Sequence, residues 1–551
     1  MAHARSAKRT DLAVTGASGG ILAAFVIAAV AAPKFTGQWI NAGFAFATQW
    51  FGLYWQLLLL VTFVIAVALA VSPWGRVRLG GSAPPEYGRF KWVAMVMCTL
   101  LAGGGVFWAA AEPMYHFIST PPFFGDVEPG SNEAARAALA QSFVHWGFLV
   151  WAVLGTLGAV VMMRGAEKGL PLRPRTLLYP LLGERVRTSV LGSVVDVVCI
   201  IAVVAGTVGP IGFLGLQVSF GLSDLFGVPN TYATQLAVIV GLTAVAVVSV
   251  ATGINRGIQF LSRLNVVGAL VLMGAVLILG SISFVVTNFF GGFGVYLRDF
   301  VPMSLYQGDA AWAGGWTIFF FGWFLGYAPL MAIFIARISR GRTLRELVGW
   351  TAIVPPVATA FWFTVLGGTG IWLEQQDPGA ISGPLTDNGL PGAIIAIAGN
   401  LPLGSFLAVA FLVLTVTFVA TTTDSMAYSI AAAGTNHGEP ERGVRAGWAV
   451  LLGLAAAVLI SIGDGGITAL QSFIVVTAVP VGLVMLPLLW TAPRIARDMA
   501  REQQVSRRRR TGGPVPTPRP GAHHDDAWTG EPARLHSAVP TTVTDVPPTE
   551  R

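Results

Sequence analysis

Charge is scarce in this chain: 34 Lys and Arg with 27 Asp and Glu make up only 11% of its 551 residues. Soluble globular proteins carry about 25%, so a water-facing fold of this length is excluded. Cysteine is nearly absent as well. Cys98 and Cys199 both lie in apolar runs, which excludes a disulfide framework and a thiolate zinc site. There is no Walker loop, no nucleophile elbow and no metal-ligand spacing, so an enzyme is not expected. What fills the sequence instead is apolar: 54% of residues are hydrophobic, and 17 are tryptophan.

Apolar stretches of about 20 residues span a bilayer, and about twelve of them lie between residues 12 and 492. The expected fold is therefore an all-α integral membrane protein. Basic residues collect in the even-numbered connections: Arg76, Arg78, Arg89 and Lys91, then Arg164, Lys168, Arg173 and Arg175, then Arg337 to Arg345. The third connection is acidic, with Asp126, Glu128 and Glu133. Cytoplasmic loops hold the Lys/Arg excess, so a multi-pass cell-membrane protein with both termini cytoplasmic is expected. The same bias accounts for the net charge of +7, and no nucleic-acid partner is expected. From about Arg501 the chain turns polar, with Arg507–Arg510 followed by Pro, Thr, Gly and His. Too polar to bury, this tail is expected to be disordered. Its arginines suit anionic lipid head groups, by about 1 kcal/mol each, and equally suit a positive-inside stop.

Four segments hold residues that a plain membrane span does not need. Gly315 to Glu346 begins as an aromatic-rich helix (Trp316, Phe319, Phe320, Phe321, Trp323, Phe324, Tyr327) and ends in Arg337, Arg340, Arg342 and Arg345. Ring faces hold cations that cannot donate hydrogen bonds, quaternary ammonium above all. Phe143 to Trp151 carries His145, Trp146 and Trp151; alone, these tryptophans fit packing or an interfacial belt as well. Gly103, Gly104 and Gly105 interrupt a third run, as a broken helix at a transport site or as small-residue helix packing. Glu112 sits near the outer end of that run, where a carboxylate reaches water, and is read as structural; His145 is read as structural too, with a proton relay as the alternative. The fourth segment, Phe418 to Ser425, holds Thr421, Thr422, Thr423 and Asp424 in an apolar run. Its hydroxyls suit a hard cation, or bonds back to their own helix.

The first segment resembles the aromatic helix of the betaine/choline/carnitine transporter family. Trp316, Thr317, Phe319, Trp323 and Pro329 match its pattern, and Phe334 to Thr343 (FIARISRGRT) matches almost letter for letter. Of the four box tryptophans, Trp323 keeps the second, while Phe321, Phe324 and Tyr327 stand at the others. Trp146 and Trp151 match the fourth span, and Glu112-Pro113 the end of the glycine-rich third, which is about three residues shorter here. Phe418, Thr421, Asp424 and Ser425 match the tenth, with Thr422 for serine. The resemblance runs from about Lys91 to Pro487.

It implies a secondary transporter with a leucine-transporter-like inverted repeat. Two peripheral helices (12–91) would follow a tail at 1–11. Five-helix repeats would occupy 92–287 and 311–493, with an interfacial helix at 288–310 and a basic, disordered tail at 494–551. A small quaternary-ammonium zwitterion or cation would bind Trp146, Trp151, Phe321, Trp323, Phe324 and Tyr327, beside Gly103 to Gly105. No cofactor is implied beyond Na⁺ as coupling ion, at Phe418, Thr421 and Thr422. Of a second sodium site only Thr207 remains, because Val203 lacks the oxygen. The family is typically trimeric. The rival readings are exchange or proton-coupled transport of another small osmolyte, and a membrane osmosensor or channel.

Overall fold

The computed structural model describes residues 10–81, 84–101, 104–252, 255–436, 439–462 and 466–510. These are helical almost throughout, and the described residues contain no strand beyond the isolated bridges Thr10–Thr435 and Arg78–Thr343. The first helices are α1 (Leu12–Ala31), α2 (Pro33–Val71), α3 (Arg89–Leu101) and α4 (Gly104–Ile118). Then come α5 (Asn132–Trp146), α6 (Phe148–Gly155), α7 (Leu157–Glu167), α8 (Val190–Phe226), α9 (Tyr232–Thr252), α10 (Asn255–Leu279) and α11 (Ile282–Arg298). The second half contributes α12 (Phe319–Ile338), α13 (Val354–Gln376), α14 (Gly404–Ala433), α15 (Arg442–Leu459), α16 (Ile467–Met485) and α17 (Leu488–Arg510).

Ten continuous helical stretches among the described residues are long and apolar enough to cross a membrane, and the bent pair of α10 and α11 raises this to 11. The expectation was about twelve. The third run is not counted because residues 102 and 103, between the 13 residues of α3 and the 15 of α4, lie outside the described residues. Side chains facing lipid stay exposed in α1 and α9, whereas the span from Asn132 to Glu167 is 94% buried in its most apolar window. That stretch and α12 therefore form the interior, and α12 packs on α6, α7, α8 and α16.

Two expected boundaries move. The interfacial helix begins at Ile282 rather than 288, and turns 106° from the preceding helix. It buries Val285, Asn288, Gly292 and Tyr296 on one stripe and leaves Phe290 and Leu297 exposed, the pattern of a helix lying on a surface. The C-terminal stretch from 494, expected to be disordered, is helical as far as Arg510. It is anchored: Glu502 pairs with Arg164, and the Gln503 side chain bonds both backbone groups of Arg78. Residues 511–551 lie outside the described residues.

Candidate substrate site

The site is built around a break in the fourth span. Helix α5 ends at Trp146 because Gly147 adopts φ −97°, ψ −146°, and no larger residue fits. A Cβ there would stand 2.1 Å from the Phe143 carbonyl and 2.4 Å from the Tyr296 hydroxyl. The break frees backbone groups that must find partners inside the protein. The Trp151 indole N–H donates to the Trp146 carbonyl at 3.0 Å, and the Phe148 N–H donates to the Tyr296 hydroxyl at 3.1 Å. Trp146 is thereby held at a helix end, facing α12.

On α12, Phe320, Trp323, Phe324 and Tyr327 recur at intervals that place them on one face of a helix. The Trp146 ring lies edge-to-face against Phe324 at 5.2 Å, Trp323 at 6.0 Å and Phe320 at 5.5 Å. Phe363 of α13 closes against Trp146 at 5.1 Å, and Phe213 of α8 lies 6.0 Å from Trp323. The Trp323 N–H donates to the Gly206 carbonyl at 3.0 Å. Tyr327 packs over Gly206, where a Cβ would meet its ring at 2.9 Å, and its hydroxyl lies 3.2 Å from that of Thr207.

The expected ring residues are thus brought together in part. Trp146, Trp323 and Phe324 touch, and Tyr327 is one turn along the same face. Trp151 is buried but serves the Trp146 carbonyl. Phe321 is fully buried and is not among the rings against Trp146; Phe320 takes that place. Of the glycines, Gly103 lies outside the described residues, Gly104 opens α4, and the Gly105 carbonyl accepts from the Trp362 indole at 3.0 Å.

The expected sodium ligands fall on two contacts. The Thr421 hydroxyl accepts from Asn265 of α10 at 2.9 Å, and its hydrogen is directed back to the Thr417 and Phe418 carbonyls. Thr422 is buried, and its hydroxyl has no partner. Thr207 donates to the Val203 carbonyl at 2.7 Å and faces Tyr327. Among the described residues no hydrogen bond joins Thr207 to Thr421 or Thr422.

The break thus aims one tryptophan at a stripe of rings on a second helix. The pattern of the BCCT, betaine/carnitine/choline family transporter, matches residues 13–501. The chain belongs to this family. It is 49% identical to glycine betaine transporter 2 of Vibrio parahaemolyticus, over 88% of this chain and 90% of that protein. It is 31% identical to the glycine betaine transporter OpuD of Bacillus subtilis, over 85% of this chain and 91% of that one. An ectoine/hydroxyectoine transporter of Virgibacillus pantothenticus is also 31% identical, over 85% and 93%.

Behind the rings of this transporter lies a buried polar cluster, of which the sequence suggested only Glu112, near water, and His145. Glu112 does not reach water: it is fully buried, as are His116 and His145. Its Oε2 accepts from the Trp146 indole at 2.9 Å, and its Oε1 lies 2.6 Å from His145 Nδ1. His145 Nε2 reaches Thr317 at 2.9 Å, in the wide π turn Gly314–Ile318 that precedes α12, and Gln141 at 3.0 Å. Phe320 stacks on the His145 ring at 4.9 Å. The available signal was the presence of three ionisable residues in apolar runs, which by default mark function.

Proposed function

We propose that this family member moves a compact quaternary-ammonium zwitterion of the glycine betaine type across the cell membrane by alternating access. The observation that carries this reading is the Trp146–Trp323–Phe324 contact, which joins the first half of the chain to the second. Ring faces attract a cation that has no hydrogen to donate, by roughly 2 kcal/mol or more once water is excluded. The rings fill the cage themselves here, edge to face, so a cation enters as they part. Such a rearrangement between the two halves is what alternating access requires. The relatives' names, two of them glycine betaine transporters, support the same substrate class.

For coupling, at most one sodium ion fits, held by Thr422, Thr421 and the Phe418 carbonyl, with Thr207 spent on Tyr327. The unpartnered buried hydroxyl of Thr422 supports that site, since such a group costs about 1–3 kcal/mol without a ligand. The basic even-numbered connections support cytoplasmic termini, and Arg507–Arg510 at the end of α17 would face anionic head groups there. A homotrimer is the assembly that the family resemblance suggests.

The test is uptake of radiolabelled glycine betaine, choline, carnitine and ectoine into proteoliposomes, with and without an inward sodium gradient. Saturable betaine uptake driven by sodium is expected. Betaine uptake equal in sodium and potassium would replace sodium coupling by exchange or proton coupling, and ectoine uptake alone would overturn the substrate class.

A further inference from the structure

We propose that Glu112, His116 and His145 form a proton-binding site whose occupancy is linked to substrate binding at the rings beside it. The inference rests on the cage reading above and adds a second ligand to it. The ligand-capable atoms of the three side chains all lie within 4.8 Å of one another, and none of the three residues is exposed. His145 and Glu112 already share a hydrogen bond. His116 does not: both of its ring nitrogens are buried without a partner, and Nε2 stands 3.8 Å from Glu112 Oε1. A buried imidazole with two unused nitrogens beside a carboxylate is unsatisfied in this arrangement, and protonation turns the pair of His116 Nε2 and Glu112 Oε1 into an ion pair.

The cluster lies close to the exposed end of α4 on one side and against the proposed substrate site on the other. His116 stands three residues before Ser119, which is exposed at the end of α4. That is about 4.5 Å along a helix axis. On the other side, Glu112 Oε2 is the acceptor that holds the Trp146 indole, and His145 reaches Thr317 ahead of α12. The charge-bearing groups facing Glu112 are His116 of its own helix and His145 of α5. Among the described residues no other charged side chain lies within ion-pair distance of it.

A proton arriving from water adds to a free His116 nitrogen and raises the cluster's charge by one. The resulting imidazolium attracts Oε1 of Glu112, and as the carboxylate turns toward it the Trp146 indole loses its acceptor. Protonation therefore loosens the cage, and by reciprocity substrate binding expels the proton.

The experiment measures the Kd of radiolabelled glycine betaine for the purified full chain at pH 5.5, 7.0 and 8.5, a range in which the ligand's own carboxylate stays ionised. Wild type is expected to bind about fivefold more weakly at pH 5.5 than at 8.5, within the usual size of such couplings. It is also expected to release protons on adding betaine in weak buffer. His116→Asn should flatten the profile while keeping the pH 8.5 affinity within about twofold. A flat wild-type profile, or full pH dependence retained in His116→Asn, overturns this inference alone. Absence of betaine binding at every pH overturns the functional reading and this inference with it.

Discussion

The indole of Trp323 is fixed by its bond to the Gly206 carbonyl, and that of Trp146 by Glu112 Oε2. Rings tethered in this way stay near the site when they part, so little further rotamer freedom is lost when a cation binds between them. Trp323→Ala should therefore weaken betaine binding at least about tenfold, the equivalent of about 1.4 kcal/mol. Trp323→Tyr should be milder, because a ring face remains; equilibrium binding of the folded variants decides. The proposed sodium ligands allow a graded comparison. Thr422→Val should raise the sodium concentration for half-maximal uptake more than Thr421→Val, since the Thr421 hydroxyl is already taken by Asn265. Equal effects, or none, would remove Thr422 from the site. Much of this was legible in the sequence: Trp146, Trp323 and Phe324 follow from composition, spacing and resemblance. Phe321 lies off the ring stripe, because a helical period sets Phe320 rather than Phe321 on the face with Trp323 and Tyr327. Glu112 was misplaced because a position near the end of an apolar run says nothing about what packs over it.

At the scale of elements, one break and one close approach shape the cage. The break at Gly147 was not visible in the sequence, where it is one of 66 glycines; only the Tyr296 hydroxyl and the Phe143 carbonyl, brought in by the fold, make it obligatory. The close approach is that of α8 to α12 at Gly206. A side chain there would press on the Tyr327 ring at 2.9 Å and push α12 off the carbonyl that Trp323 uses. Gly206→Val should thus weaken betaine binding about fivefold or more while helicity by circular dichroism stays unchanged, the order expected for losing one hydrogen bond of about 1 kcal/mol. Unchanged affinity would mean that the Gly206 contact does not position Trp323. Long apolar periods marked nearly every span, whereas the 106° turn before α11 depends on tertiary packing that no local pattern records.

Across the whole molecule, the halves are tied at the basic connections. Arg173, almost fully buried, bonds Asp11 at 2.9 Å and Asn436 at 2.8 Å and pairs with Asp196 at 2.7 Å. This joins the start of α1, the connection before α8 and the segment after α14. Burial raises the Asp11 carboxyl, but the Val14 N–H and the Arg173 and Arg175 guanidinium groups outweigh it and hold its pKa below the ordinary carboxylate value. A carboxyl depressed in the folded state adds stability above its unfolded pKa of about 4, and that stability is lost as pH falls through the folded value. Arg173→Met should lower the melting temperature at pH 7.5 by about 3 °C, as about 3 kcal/mol does in a chain this long. The deficit should hold down to about pH 4 and shrink below it, as Asp11 protonates; a deficit independent of pH through that range would exclude Asp11 from the tie. The account as a whole stands on the cage being the transport site. Its most direct test is uptake of radiolabelled glycine betaine into proteoliposomes by wild type and by Trp146→Ala/Trp323→Ala, both shown to be folded by size-exclusion chromatography. Saturable uptake by wild type and background uptake by the double variant are predicted; equal uptake by the two would contradict the account.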